Sequence, residues 1–230
     1  MSDYVLLTDS SADLTDKLMR EMGVEVLPLS FTIKGKTLFN YPDNREMSAK
    51  AFYRLLREGE MATTSAVNIS DFTEKMEPLL QAGKDVLVLA FSSALSATCH
   101  SAQIAAQELG EKYPERKVYV VDTLCASLGQ GLLLWHAAQH KARGESIEAV
   151  RDWVEANKGA AKYVAMANKC WPAFQTQFGF VPCYVNSRLT GRCIPVSCEV
   201  DIYGAVSEYI LCCVTGAAPT LLDINNTVPE

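Results

Sequence analysis

The chain has 230 residues, 49% hydrophobic and 21% charged, and 27 acids against 21 Lys and Arg give it a net charge of −6. That length suits one large domain or two small ones, and ordinary counts of 13 Gly and 9 Pro exclude a collagenous or low-complexity chain. The acidic balance excludes a protein that gains affinity by neutralising phosphates, so no nucleic-acid partner is expected.

The opening MSDYVLLTDSS carries an acid at position 3 and no basic stretch before an apolar run. It does not read as a secretory signal, and a cytoplasmic location is expected. Residues 4–8 (YVLLT) form the first strand, and a helix over about 15–22 stops at Gly23. An extended segment follows over 24–33, broken by Pro28, then a turn at Lys34-Gly35-Lys36. A helix over about 48–58 places Phe52, Leu55 and Leu56 on one face and ends at Gly59. Ser70 is the expected N-cap of a helix running to Ala82.

Residues 85–91 (DVLVLAF) are nearly all apolar, the pattern of a central strand covered on both faces. Helix 98–109, stopped by Gly110, strand 117–121, helix 126–143 and helix 146–157 complete the set. The alternation predicts an α/β fold, a Rossmann-like parallel sheet flanked by helices. After Gly159 charges become sparse, and no histidine follows His140. A buried strand is expected over 193–200, then a helix over 201–214 whose stripe is Ile202, Ala205, Val206, Tyr209, Ile210 and Cys213.

Six of the eight cysteines lie beyond residue 160, but no CxxC pair exists, so the spacing of a zinc site is missing. The uncharged stretches 123–140 and 170–187 reach 18 residues each, yet Gln, His and Pro interrupt them, and no membrane span is expected.

In an open parallel sheet, ligands bind at the carboxyl ends of the strands. Here those ends carry hydroxyls and acids: Asp9-Ser10-Ser11, Ser92-Ser93 with Ser96 and Thr98, and Asp122-Thr123, joined by a fourth cluster at Thr63-Thr64-Ser65. Hydroxyls and helix-start amides suit an anion of low charge, a carboxylate or a monophosphate. No GxGxxG or GxxxxGK[ST] occurs, which disfavours a dinucleotide or triphosphate. A serine hydrolase of Ser93, His100 and Asp122 lacks the glycines that a nucleophile elbow needs. His136 and His140, at i and i+4, have no acid or thiol at metal-like spacing and read as a solvent-facing pair.

The ordered motifs Thr8-Asp9-Ser10-Ser11-Ala12-Asp13-Leu14, Thr63-Thr64-Ser65, Ser92-Ser93-Ala94-Leu95-Ser96-Ala97-Thr98 and Val121-Asp122-Thr123 with Ala126-Ser127-Leu128-Gly129-Gln130-Gly131 resemble the DegV family of fatty-acid-binding proteins. The resemblance covers residues 1–158. It implies a two-domain protein, a binding protein rather than an enzyme, that needs no cofactor, holds a long-chain fatty acid and presents its carboxylate to a fatty-acid kinase. Carried over, Thr64 and Ser93 hydrogen-bond the carboxylate, with Ser96 and Ser10 nearby. Ala97 departs from the pattern, standing where the family usually has glycine.

Residues 159–230 follow a different pattern. Cys170-Trp171-Pro172, Gly179-Phe180-Val181-Pro182-Cys183 and Cys198-Glu199-Val200-Asp201 resemble the carboxyl-terminal part of the fucose/arabinose isomerase superfamily, metal-dependent aldose–ketose isomerases. That resemblance implies a smaller, incomplete α/β segment in which Glu199 and Asp223 would hold Mn2+ as hard oxygen ligands. The third ligand of that superfamily is a histidine, which this stretch does not supply. The alternatives to a lipid-binding protein are therefore such an isomerase or a fragment of one, or a non-functional chimera of the two pieces.

Overall fold

Tyr4–Asp9 (β1) and Asp85–Ala90 (β6) bury every residue, and they run side by side in parallel with Leu6 opposite Leu87 and Leu7 opposite Val88. In the computed structural model, residues 3–159, 166–168, 190, 192, 196–198 and 202–218 are described. Val24–Leu27 (β2) pairs with the other edge of β1, and Val118–Asp122 (β7) pairs with β6, giving a parallel sheet of order β2-β1-β6-β7. Strand β6 is thus interior, as its unbroken apolar run requires.

Successive side chains of a strand point to opposite faces, and the core divides accordingly. Leu6, Leu87, Leu89 and Val121 pack under Asp16–Glu21 (α1), Leu128–Ala142 (α5) and Ile147–Asn157 (α6), through Met19, Leu134, Ala137, Ile147, Val150 and Val154. Leu7, Val86, Val88 and Ala90 pack under Ile69–Gln81 (α3) and Thr98–Lys112 (α4), through Phe72, Met76, Leu80, Ala102, Ala105 and Leu109.

A second, antiparallel sheet stands beside this frame. Leu29–Ile33 (β3) turns at Lys34-Gly35 into Lys36–Asn40 (β4), and its other edge pairs with Ala62–Ser65 (β5). Strands β4 and β5 are too polar and short to stand out in the sequence. The Thr63-Thr64-Ser65 cluster therefore lies within a strand of the second sheet, with Thr64 opposite Phe31. Ala49–Arg57 (α2), capped by Ser48, buries no residue fully and rests Phe52 edge-on against Phe31, centroids 5.4 Å apart.

Four local expectations are corrected. Asn68, not Ser70, caps α3: its side chain accepts the Asp71 amide at 2.9 Å while Asp71 accepts the Asn68 amide at 3.1 Å, and the reciprocal box outcompetes a lone serine. Helix α4 runs through Gly110 to Lys112, because a glycine inside a helix is tolerated and the real stop is Pro114, which drives Tyr113 out of helical geometry. Helix α5 begins after Ser127, whose φ of 50° breaks the chain direction two residues later than expected. His136 and His140 do not face solvent as a free pair: both rings pack on Trp153 of α6, at 5.2 and 4.8 Å, and His140 Nδ1 lies 2.7 Å from Glu145 Oε1.

The chain divides into two compact units, Met1–Ala160 and Ala161–Glu230. In the second, Met166–Asn168 (β8) pairs in parallel with Val196–Cys198 (β9), and Ile202–Thr215 (α7) follows. Helix α7 buries Ala205, Glu208 and Cys212 and exposes Val206, Ile210 and Cys213, so its inward face is rotated from the stripe that the sequence suggested. Four large apolar residues of that helix, Val206, Ile210, Leu211 and Val214, therefore face outward while Ala205, Cys212 and the acid Glu208 face inward.

Candidate functional site

The carboxyl ends of β1, β6 and β7 lie next to one another, and two acids brace the middle one. Asp9, at the end of β1, is fully buried. Its Oδ2 accepts the Phe91 amide at 3.0 Å, and its Oδ1 accepts the amide of Ser11 at 3.1 Å and the Ser11 hydroxyl. On the other side Asp122, at the end of β7, accepts the amides of Ser93 and Leu124 on Oδ1, each at 3.1 Å. Burial opposes the charged form of Asp122, but its contacts with Ser93, the Leu124 amide and the charge of Lys158 outweigh it and hold the carboxyl below the ordinary carboxylate range.

This bracing uses the loop's own amides. Besides Phe91 and Ser93, the Ser92 N–H donates to Cys125 O at 3.1 Å, Ala94 to Ser92 Oγ at 3.3 Å, Leu95 and Ser96 to Ser92 O at 3.0 and 3.1 Å, and Thr98 to Ser96 Oγ at 3.2 Å. The sequence-based expectation that free amides here would hold an anion is therefore corrected for these residues. An anion at this loop meets side-chain hydroxyls, and Ser93 presents an exposed one.

The structure places the candidates as follows. Ser96 is half-buried, with its Oγ 3.0 Å from Thr98 Oγ1, which in turn accepts the Val67 amide at 3.3 Å. That chain of bonds ties the 92–98 loop to the segment just after β5, the strand that carries Thr64. Ser10 is buried, and its Oγ accepts the Leu29 amide at 3.0 Å and Asn40 Nδ2 at 3.5 Å, anchoring the second sheet on the end of β1. Thr64 is exposed and lines an open cleft of about 370 Å³ between α2 and the β3–β4 hairpin, with Phe31, Phe39, Phe52, Tyr53 and Met47 as its apolar walls. Ser10, Ser93 and Ser96 are not among the residues lining that cleft.

Two residues that lie within one of the sequence motifs but take no role from it brace the end of β1. Gln130 of α5 is fully buried and donates Nε2 to Thr8 Oγ1 at 3.0 Å and to Asp9 Oδ2 at 3.2 Å. Its neighbour Gly131 packs so closely on the turn after β1 that a β-carbon there would lie 2.7 Å from the Ala12 carbonyl oxygen and 2.8 Å from Leu14 Cδ2. A glutamine and a glycine between apolar helix residues were the signal, a polar group and a missing side chain where periodicity asks for neither. The cleft aromatics gave less, because Phe31, Phe39 and Phe52 are spread over three elements.

Glu199 and Asp223 lie outside the described residues, as do Cys170, Cys183 and Cys193. Among the described residues no group of three or more His, Cys, Asp or Glu side chains could hold a metal ion, and no described helix is long and apolar enough to cross a membrane.

The model of the family described as "uncharacterised protein, DegV family" matches residues 4–169, past Gly159 and into the second unit. A DegV domain-containing protein of Clostridium perfringens is 45% identical over 158 residues, 69% of this chain and 54% of that one. One from Caldanaerobacter subterraneus is 33% identical over 150 residues, 65% of this chain and 51% of that one. Among solved structures, a DegV family protein from Thermus thermophilus, described by its fatty-acid binding, superposes with a TM-score of 0.60 at 36% identity, covering 68% of this chain and 53% of that one. A Thermotoga maritima protein described as having a fatty-acid binding function superposes with a TM-score of 0.60 at 30% identity, covering 68% of this chain and 55% of that one. The chain spans about half the length of the curated relatives it matches. With the family model covering 4–169, most of its 230 residues, the chain belongs to the DegV family.

Proposed function

We propose that this chain binds a fatty acid, with the hydroxyls of Ser93 and Thr64 donating to the carboxylate and Ser96 and Ser10 shaping the surrounding loops. The observation that carries this reading is the division of labour at the strand ends: the amides of the 91–96 loop are used internally, while exposed hydroxyls on Ser93 and Thr64 remain for a ligand. Thr64 sits at the edge of an aromatic cleft whose volume, about 370 Å³, falls in the range of small-ligand pockets. Each methylene buried in such a cleft contributes about 0.8 kcal/mol. The acyl chain then supplies most of the affinity and the hydroxyls supply orientation. The DegV relatives of known structure that bind fatty acids support the same reading.

The kinase to which the carboxylate would be presented is part of this proposal, and it is a non-enzymatic role for the chain itself, with no cofactor. Residues 1–158 carry that role in this reading. The Mn2+ site of Glu199 and Asp223, the isomerase activity and the chimeric origin of 159–230 rest on the sequence resemblance alone, and no structural observation favours them. Palmitate added to the purified full chain is expected to raise its unfolding temperature, and Thr64→Ala with Ser93→Ala to remove most of that rise. An equal rise in the double variant would contradict the assignment of these two residues.

A further inference from the structure

The hydroxyl loop after β6 and the strand that carries Thr64 belong to different sheets, and a buried side chain joins them. Thr98, the first residue of α4, is fully buried. Its Oγ1 accepts the Val67 amide at 3.3 Å and lies 3.0 Å from Ser96 Oγ, which in turn accepts the Thr98 amide at 3.2 Å. Both ends of this link are anchored. Val67 is buried and precedes Asn68, whose reciprocal box with Asp71 starts α3, and Thr64 stands three residues before it in β5. On the other side the amides of Leu95 and Ser96 close on Ser92 O at 3.0 and 3.1 Å, so Ser93 and Ser96 belong to one tight turn. The amides of Ser92 and Ser93 tie that turn to Cys125 and Asp122, at the β7 side of the main sheet. Among the described residues, the hydrogen bond from Val67 to Thr98 is the one that leads from the turn toward β5.

We infer that Thr98 is a positioning residue: by holding the 92–96 turn at a fixed spacing from β5, it brings the Ser93 hydroxyl within reach of a carboxylate seated on Thr64. The inference rests on the fatty-acid reading above. Thr64 lines the aromatic cleft and Ser93 does not. A ligand whose acyl chain lies against Phe31, Phe39 and Phe52 therefore meets Thr64 wherever the turn stands, whereas its contact with Ser93 depends on the turn. Groups that recognise a ligand have to be held within about 0.5 Å of the productive geometry by the bonds around them, and a hydrogen bond weakens steeply with distance and angle. Loosening Thr98 removes the Ser93 contact and spares the Thr64 contact.

The test is calorimetric titration of the full chain with decanoate at pH 8, where the ligand is ionised. Thr98→Val keeps the branched side chain and removes the hydroxyl. It is expected to weaken decanoate about five-fold, the weight of one hydrogen bond and the same loss that Ser93→Ala produces alone. Ser93→Ala added to Thr98→Val should then cost less than about two-fold, because the contact is already gone. Thr64→Ala added to Thr98→Val should still cost its full several-fold. A residue that only stabilises the fold would not divide the two donors in this way. Thr98→Ser, which keeps a hydroxyl for Val67 and Ser96, should bind decanoate within about two-fold of wild type. Where Thr98→Val yields too little folded protein to titrate, Ser96→Ala breaks the same link at a half-buried position and is expected to divide Ser93 from Thr64 in the same sense.

Wild-type affinity in Thr98→Val, or losses from Thr98→Val and Ser93→Ala that simply multiply, would overturn the positioning role and leave fatty-acid binding standing. The same holds for Ser96→Ala where it stands in for Thr98→Val. Thr98→Ser as weak as Thr98→Val would also overturn it, since the hydroxyl would then not be what holds the turn. Absence of binding of decanoate and of palmitate to the wild-type chain would overturn the fatty-acid reading and this inference with it.

Discussion

Gln130 Nε2 donates to Asp9 Oδ2 at 3.2 Å across 121 residues of sequence, so that a side chain of α5 closes the polar end of β1. Asp9 needs this donor because it is fully buried and its other partners, the amides of Phe91 and Ser11 and the Ser11 hydroxyl, leave part of its acceptor capacity unmet. Gln130→Leu keeps the volume but removes the donor from a buried carboxylate. We expect a loss of about 2–3 kcal/mol, read as a lower urea midpoint with unchanged slope. A variant as stable as wild type would show that Asp9 does not depend on Gln130.

Two glycines in helices make a paired prediction with opposite signs. Gly131→Ala forces a β-carbon to 2.7 Å from the Ala12 carbonyl, which backbone must yield to, and a loss of about 2 kcal/mol or more is expected. Gly110→Ala meets nothing within 4 Å in the interior of α4 and should gain about 0.5–1 kcal/mol. Thermal unfolding of the two single variants separates them.

Alkaline pH should destabilise the first unit. Burial pushes the Tyr4 hydroxyl from 10.0 up to about 12, with Glu145 adding to the effect, and burial pushes the Cys99 thiol from 9.0 up to about 11, helped by Asp122. Both groups keep their protons longer in the folded chain than in the unfolded one. As pH rises through about 9 to 12, the unfolded chain loses protons first, so the stability these two groups contribute falls across that window and is constant below it. The same shift predicts that iodoacetamide at pH 8 leaves Cys99 unmodified in the native protein while the exposed Cys213 is labelled, which peptide mass mapping reads directly.

Head-group recognition is assigned to side chains and not to backbone, and this has its own consequence. Thr64→Ala and Ser93→Ala should each weaken decanoate binding several-fold without shifting the unfolding midpoint by more than about 0.5 kcal/mol, since both residues are exposed. A large stability change in either would mark it as structural instead.

The parallel frame was legible because its central strands β1 and β6 are buried on both faces and read as continuous apolar runs, and because Gly23, Gly59 and Gly83 stop helices where the periodicity ends. The second sheet was not. Strands β4 (KTLFN) and β5 (ATTS) have neither the alternation nor the length that marks a strand, and they exist because β3 offers them an edge. Thr64, which the sequence assigned to no strand, therefore lies at the rim of a cleft that no sequence pattern announced. The hydroxyl clusters at 10–11 and 92–98 were found correctly as the polar ends of the main sheet, but their amides were expected to be free. Only the placement of Asp9 and Asp122 on either side of Phe91 and Ser93 shows that they are taken. The buried face of α7 was read only in part, Ala205 being buried as expected but Cys212 in place of Val206 and Ile210, because an apolar stripe alone does not say which side finds a neighbour.

The most direct test of fatty-acid binding is native mass spectrometry of the full chain purified from bacteria without added lipid. A population heavier than the apoprotein by the mass of one long-chain fatty acid, lost on treatment with a lipid-sequestering resin and restored by palmitate, is the predicted result. A single unliganded species before and after palmitate, with no change in unfolding temperature, would contradict it.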